Sequence, residues 1–142
     1  MRIDPATEAT PRVRAALAHL LPQLNSQLPV PTMERLHAII ADPAVTLLVA
    51  TDDGEIVGTA TVIVYTTPFW NKARIDDVVV DARARGKGVG EALVRACLDV
   101  ARERGAEIAE LQSAIQREAA NRLYQRMGFE LRKSNVYRMK LN

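Results

Sequence analysis

The segment 74–100 combines three local patterns in one order, and that order constrains the fold more than any other feature of the sequence. A β-branched run, Val78 to Val80, is typical of a strand that is covered on both faces. The part that follows it carries glycine at every second position. From Val89 to Val100 apolar residues recur at spacings of three and four, as on one face of a helix. The segment therefore predicts a buried strand, a glycine-rich turn and an amphipathic helix in succession.

The glycine-rich turn has the chemistry of an anion site. Glycine allows a positive φ and lets a ligand approach the backbone closely. The first N–H groups of a helix have no partner inside it, and together with the helix dipole they attract phosphate. We therefore predict a pyrophosphate cradle in this turn. Its residues are Arg85, Gly86, Lys87, Gly88, Val89 and Gly90.

The spacing of the glycines decides between known phosphate motifs. The one Gly-Lys pair, Gly86-Lys87, is followed by Gly88 rather than by Ser or Thr, which excludes a P-loop. The third glycine of a dinucleotide-binding G-x-G-x-x-G motif is also missing. The pattern that remains, Arg85-x-x-Gly88-x-Gly90 after a valine-rich strand, is similar to the acetyl-CoA motif of the GNAT N-acetyltransferase superfamily. The later segment 121–129, N-R-L-Y-Q-R-M-G-F, resembles a second helix of that superfamily with its tyrosine and Gly-Phe exit.

The rest of the chain predicts one α/β domain over residues 1–142. Thr10 and Thr32 are predicted N-caps of two helices, Pro22 is expected to shorten the first, and Gly58 predicts a bulge or a close backbone approach. Further strands are predicted at 2–4, 45–50, 55–65, 106–112, 129–131 and 137–141, and a helix at 117–127. The resemblance implies a GNAT fold, a central mixed, mostly antiparallel sheet flanked by about four helices.

The resemblance also implies a reaction, the attack of an amine on the thioester of acetyl-CoA, with no metal ion. The amine must lose a proton, and the departing thiolate must gain one. Asp76 and Asp77 are candidates for the base. Regular alternation predicts that Asp76 shares a face with Val78 and Val80, although a bulge would invert this assignment. The two carboxylates could equally be a solvated pair at the end of a strand.

Further site residues follow from the resemblance. The backbone of Val78, Val79 and Val80 is expected to pair with the pantetheine arm and the acetyl carbonyl. Tyr124 is the candidate general acid, with an aromatic core residue as the alternative. Arg117 and Asn121 are candidates for binding the cofactor, and each could instead be simply exposed. His19 and His37 lie in predicted helices without a matched partner, and we treat them as non-catalytic.

Composition excludes several classes of function. The net charge of +2 gives no general nucleic-acid footprint, and no window is apolar and long enough to span a membrane. The single cysteine, Cys97, lies on the apolar stripe of a helix and is predicted to be a core residue. We expect a cytoplasmic enzyme, with a homodimer through the C-terminal strands expected from the family.

The acceptor is not determined by the sequence. A primary amine of a small molecule or peptide is expected, with an amino-sugar phosphate or a protein N-terminus as alternatives. A different class of function is also open, namely a catalytically silent CoA-binding sensor or regulatory module.

Overall fold

The computed structural model describes residues 1–142, which divide into two compact units, Met1–Gln112 and Ser113–Asn142. The first unit contains a five-stranded sheet and three helices, and the second contains one helix. The strands are β1 (Arg2–Pro5), β2 (Val45–Asp52), β3 (Glu55–Thr66), β4 (Asn71–Val80) and β5 (Ile108–Leu111). The helices are α1 (Pro11–Leu20), α2 (Met33–Ala41), α3 (Val89–Glu103) and α4 (Glu118–Arg126). None of them has both the length and the apolar composition that crossing a membrane requires.

The sheet has the strand order β1-β2-β3-β4-β5. The first three pairings are antiparallel, and β4 pairs with β5 in parallel through a crossover that contains α3. The mixed, mostly antiparallel sheet with four helices confirms the predicted fold class. Gly58 combines both predicted features, because the register shifts beside it and a Cβ at this position would lie 3.0 Å from the Cδ1 of Leu93.

The first two helices begin where the sequence predicts. The hydroxyl of Thr10 accepts from the amide of Val13, and that of Thr32 accepts from the amide of Arg35. The α-helical conformation of α1 ends at Leu20, and the turn Leu21–Gln23, which includes Pro22, is a 3₁₀ helix. Pro22 therefore shortens α1 as expected, because proline cannot donate the hydrogen bond that an α-helix needs there.

The two faces of the sheet are covered by different helices. Val49 of β2 and Val79 of β4 belong to a buried cluster with residues of α1 and α2, which identifies the α1/α2 face. On the opposite face α3 packs against β3, where its Leu93 and Val89 approach Gly58. Cys97 of α3 is fully buried, and burial raises the pKa of its thiol to about 12. The prediction that it is a core residue is confirmed.

The C-terminal strands predicted at 129–131 and 137–141 are wrong. Residues 128–142 form no helix or strand. Their apolar side chains from Leu131 onward are exposed, and Phe129 is half-buried against Tyr124. Alternating polarity predicts a half-buried strand only where another strand pairs with the backbone and a core accepts the apolar side chains. No strand pairs with this segment in the chain, so the strands on which the expected homodimer was based are absent.

Candidate acetyl-CoA site

The segment from Arg85 to Gly90, here called the anion turn, connects β4 to α3. Gly86 and Gly88 both have φ of +79°, a left-handed conformation that glycine adopts without strain. Gly88 is the N-cap of α3 and has no side chain that could accept from the first amides of the helix. The N-terminal amides of α1 and α2 are bonded by threonine caps, whereas those of α3 are left for another acceptor.

The surroundings of the anion turn fit a phosphate ligand. A Cβ placed on Gly86 or Gly88 would meet no atom within 4 Å, so the backbone is open on that side. Arg85 and Lys87 are exposed and add positive charge. The side chain of Val89 is buried in the core, so this residue offers only its amide. Open space, unpaired amides and two cations are the features that bind a diphosphate at a helix N-terminus.

The second half of β4 has a free edge beside this turn. β5 pairs only with the residues from Lys72 to Ile75, while Val79 and Val80 pair with β3 on the other side. The backbone from Asp76 to Val80 therefore has no strand on the β5 side. An extended ligand could add to this edge through main-chain hydrogen bonds. The carbonyl of Val80 also accepts from the Nε of Arg85 at 3.3 Å, and the role of Val78, Val79 and Val80 stays a prediction.

A bulge interrupts β4 at Asp77, which has φ of +55°. Asp76 lies opposite Thr61 and Val79 lies opposite Thr59, so Asp77 and Val78 together face the single residue between those threonines. Asp76 therefore shares the α1/α2 face with Val79, and Val80 lies on the α3 face. The expected grouping of Asp76 with Val78 and Val80 is wrong, because the bulge reverses the alternation.

The two carboxylates lie in different environments. Both oxygens of Asp76 accept from the Nε of Arg74 at 3.1 Å. Asp77 is exposed and forms no ion pair. The pKa of Asp77 is raised above its ordinary value by partial loss of hydration and then by the charge of Asp76, while Arg74 opposes the shift. A carboxylate with a raised pKa and no cationic partner is the better proton acceptor of the two.

The sequence analysis did not predict the polar groups around Asp76. Arg74 also donates to the Oε1 of Gln112 at 2.7 Å, and Lys72 forms an ion pair with Glu110 on the neighbouring strand. Arg74 and Asp76 stand two residues apart on a strand, a spacing that places both side chains on one face. The contact between Arg74 and Asp76 could therefore have been predicted from their spacing in the sequence. The contacts of Arg74 with Gln112 and of Lys72 with Glu110 depend on the register between β4 and β5, which no local sequence pattern indicates.

The second unit contains the other candidates. Arg117 is the N-cap of α4, outside the helix, so the predicted helix 117–127 begins one residue later. The Nδ2 of Asn121 donates to the carbonyls of Ala114 and Arg117 at 2.9 and 2.8 Å. Asn121 therefore holds the start of α4, and only its amide oxygen remains for a ligand.

Tyr124 is buried near the end of α4. The helix closes with Gly128 in a left-handed conformation, and the amide of Phe129 donates to the carbonyl of Tyr124 at 3.0 Å. The two aromatic rings meet edge to face, with centroids 5.9 Å apart. This ring contact accompanies the common glycine-terminated helix end. Tyr124 thus has a structural role through its ring, and its hydroxyl is the part that a catalytic role would require.

The comparison with known families decides the assignment. Residues 13–129 match the sequence profile of the acetyltransferase (GNAT) family, a range that includes the anion turn and Tyr124. The chain belongs to the GNAT family. The family is described as one of acetyltransferases.

Curated relatives match the chain over part of their lengths. An N-acetyltransferase of Methanocaldococcus jannaschii, itself uncharacterized, is 38% identical over 58 residues, which are 41% of this chain and 26% of that protein. Streptothricin acetyltransferase of Streptomyces lavendulae is 40% identical over 78 residues, 54% of this chain and 40% of that enzyme. The matched segments thus span between a quarter and two fifths of the lengths of these two relatives.

Solved structures match over the whole chain. A protein of Agrobacterium tumefaciens strain C58 assigned as an acetyltransferase has a TM-score of 0.87 at 25% identity, covering 99% of this chain and 100% of its own. A transcriptional regulator of Bacillus halodurans C-125 has a TM-score of 0.82 at 29% identity, covering 99% of both chains. The GNAT fold is therefore shared along the full length of the chain.

Proposed function

We propose that this protein is an N-acetyltransferase that moves an acetyl group from acetyl-CoA to a primary amine. The observation that carries the proposal is the open N-terminus of α3, where Gly88 supplies no capping side chain and leaves space for a ligand. Membership of the GNAT family supports the same activity.

The residues of the anion turn would hold the diphosphate of acetyl-CoA. Arg85 and Lys87 contribute charge, and Gly86, Gly88, Val89 and Gly90 contribute backbone. The free edge of β4 from Val78 to Val80 would hold the pantetheine arm and the acetyl carbonyl as an added strand does. When bound, acetyl-CoA supplies the acyl group as an activated thioester. Arg117 and the amide oxygen of Asn121 are secondary binding candidates.

Two side chains are proposed to move protons. Asp77 would accept a proton from the acceptor ammonium, directly or through water, because its carboxylate has no cationic partner and an elevated pKa. Asp76 is the weaker candidate, since Arg74 engages both of its oxygens. The hydroxyl of Tyr124 would donate a proton to the departing thiolate of CoA, which leaves as the free thiol, a role of general acid catalysis.

The acceptor is proposed only as a primary amine of a small molecule or peptide. The partial match with streptothricin acetyltransferase favours a small-molecule amine, with an amino-sugar phosphate or a protein N-terminus as further candidates. A broad panel of these amines, assayed by release of free thiol from acetyl-CoA, tests the activity and narrows the acceptor class. Calorimetric titration with CoA in the same buffer measures binding separately from turnover.

A second candidate function is a CoA-binding regulatory module. The likeness to a transcriptional regulator of Bacillus halodurans favours it, because that protein has the same fold at 29% identity. A sensor needs the anion turn but neither Asp77 nor the hydroxyl of Tyr124. Tight CoA binding without thiol release on any amine would favour the module, whereas absence of CoA binding would contradict both functions.

A further inference from the structure

Asp81, the residue that follows β4, is a nearly completely buried carboxylate. Its Oδ2 accepts from the Nε and Nη2 of Arg83 at 3.1 and 2.9 Å and from the Nε2 of His19 at 2.9 Å. Its Oδ1 accepts from the amide of Arg83 at 3.2 Å. Because a carboxylate only accepts, the Nε2 of His19 must carry the proton in this bond. Asp81, Arg83 and His19 are here called the Asp81 cluster.

The Asp81 cluster joins three parts of the first unit. His19 belongs to α1, Arg83 also reaches the carboxylate of Glu55 on β3 at 3.4 Å, and Asp81 begins the connection to the anion turn. The adjoining backbone is bonded as well. The amide of Asp81 donates to the carbonyl of Val57 at 2.8 Å, and that of Ala82 donates to the Oε1 of Gln23 at 2.9 Å.

The first four residues of the anion turn, Arg85 to Gly88, have little packing of their own. The side chains from Arg85 to Gly88 are exposed, and only Ala84 before them is buried. A segment without a buried side chain cannot be fixed by apolar contacts, so its path depends on how its ends are held. One end is α3 and the other is Asp81. The hydrogen bonds of Asp81, together with the bond from the Nε of Arg85 to the carbonyl of Val80 at 3.3 Å, therefore determine the direction in which the chain enters the turn.

The Asp81 cluster lies at the surface, with only its carboxylate buried. The side chains of His19 and Arg83 are 59% and 63% exposed, whereas that of Asp81 is 3% exposed. Exposed charged partners add little to global stability because water and salt screen them. The same bonds define the orientation of Asp81 closely, because four donors converge on one carboxylate. The arrangement is better suited to fixing local geometry than to stabilising the whole fold.

We propose that Asp81 is a positioning residue for the acetyl-CoA site, and that through Arg83 and His19 it holds the anion turn in its binding conformation. His19 thereby makes helix α1 part of the support of the turn. The proposal rests on the proposed function for the identity of the ligand. The holding of the turn itself does not depend on that identity.

Three variants and one control test the proposal on the full chain. Asp81→Asn keeps the shape of the side chain but places an amide against the donors of Arg83 and His19. His19→Ala removes one exposed partner, and His19→Gln restores a donor. His37→Ala alters an exposed histidine of α2 outside the cluster and serves as the control. CoA binding is measured by calorimetry, and the steady-state kcat and KM for acetyl-CoA are measured with an active amine.

We expect Asp81→Asn to weaken CoA binding about tenfold, the equivalent of one hydrogen bond to a charged group. His19→Ala should weaken it about threefold, with recovery in His19→Gln, and His37→Ala should have no effect. Because only the binding of acetyl-CoA is disturbed, KM should rise while kcat stays unchanged. Unchanged CoA affinity in folded Asp81→Asn and His19→Ala would overturn the proposal, as would a fall in kcat alone.

A readout without ligand separates this proposal from the proposed function. Amide hydrogen exchange is followed at Ala82 and Ala84, whose N–H groups are bonded to Gln23 and to the carbonyl of Asp81. Faster exchange at these two amides in Asp81→Asn, with unchanged exchange rates of the sheet amides, supports the positioning role of Asp81 even if the wild type binds no CoA. Unchanged exchange, or equal acceleration throughout the sheet, contradicts it. Should Asp81→Asn not fold, His19→Ala decides by the same measurement.

Discussion

The two ends of α3 differ in one respect that separates a structural turn from a binding site. Gly88 at the start and Gly105 at the end have φ of +79° and +80°, and a Cβ on either would meet no atom within 4 Å. At the end, the chain bonds its own carbonyls, since the amides of Gly105 and Ala106 donate to Arg102 and Ala101 at 3.0 and 2.9 Å. At the start, no side chain caps the free amides.

The difference shows that the same glycine conformation closes one helix end and leaves the other open. The end of α4 is closed in the same way as that of α3, with the amide of Phe129 bonded to the carbonyl of Tyr124. Strand β4 repeats the contrast, because its first half pairs on both edges and its second half on one edge only. Open main-chain groups thus concentrate at the end of β4 and the start of α3, where a ligand can use them.

The largest expected effect comes from valine at the two glycines of α3. A branched residue in the left-handed region costs about 1–2 kcal/mol at either position, so Gly88→Val and Gly105→Val should lower the unfolding free energy equally. Only Gly88→Val also places a side chain where the diphosphate would approach, and it should raise the calorimetric Kd for CoA by more than about 100-fold, or roughly 3 kcal/mol. Equal losses of CoA binding in both variants would remove the distinction between the two ends.

Tyr124→Phe sharpens the comparison at the closed end of α4. Phenylalanine keeps the ring contact with Phe129, so the helix end and CoA affinity should be preserved. Loss of the hydroxyl should lower kcat by about 10²–10⁴, the usual contribution of a general acid. Tyr137→Phe, which alters an exposed tyrosine, is the matched control. A single-turnover rate equal to that of the wild type would leave Tyr124 with its structural role alone.

The features that sequence analysis predicted are those encoded within a few residues. The glycine spacing specified the anion turn, and Thr10 and Thr32 specified two helix starts, because each depends on local backbone geometry. The bulge at Asp77 depends on the register of β3 against β4, which local alternation does not contain. His19 meets Asp81 across 62 positions of sequence, and no pattern marks the pair.

The predicted C-terminal strands show that a local pattern can also predict an element that does not form. Their alternation is real in the sequence, but a strand also needs a neighbour, and the residues after Gly128 have none in the chain. Asn121 is a milder case, because its predicted availability to a ligand is reduced by two bonds to nearby carbonyls.

The variants Asp76→Asn and Asp77→Asn test the second half of β4, which pairs with a strand on one edge only. Asp77→Asn should lower kcat/KM about tenfold where the carboxylate is ionised, with a loss that shrinks as the pH falls and Asp77 becomes protonated in the wild type. Asp76→Asn removes the negative charge next to Asp77, so the pKa of Asp77 should fall. The decrease of kcat/KM on the acid side of the pH profile should then occur at lower pH.

Both pH profiles are taken with one amine and expressed as a ratio to the wild type, so that the ionisation of the acceptor cancels. A ratio for Asp77→Asn that does not vary with pH would exclude a carboxylate base at the bulge. If the acid side of the kcat/KM profile lies at the same pH in Asp76→Asn as in the wild type, the two carboxylates do not interact.

The smallest expected effect concerns acid stability at the entry to the anion turn. Hydrogen bonds from Arg83, and more weakly from His19, lower the pKa of Asp81 from 3.8 to about 2, although burial opposes the shift. Because the folded pKa is depressed, the ionised carboxylate stabilises the native state fully above its ordinary pKa, and this contribution is lost as the pH falls toward about 2. Urea unfolding should therefore show Asp81→Asn less stable than the wild type by no more than about 1 kcal/mol at pH 7, with the difference narrowing steadily below pH 4. Asp99→Asn, which removes an exposed ion pair with Arg102 on α3, should change little at either pH. A difference for Asp81→Asn that persists unchanged at low pH would mean that its packing, rather than its charge, holds the entry to the open end of α3.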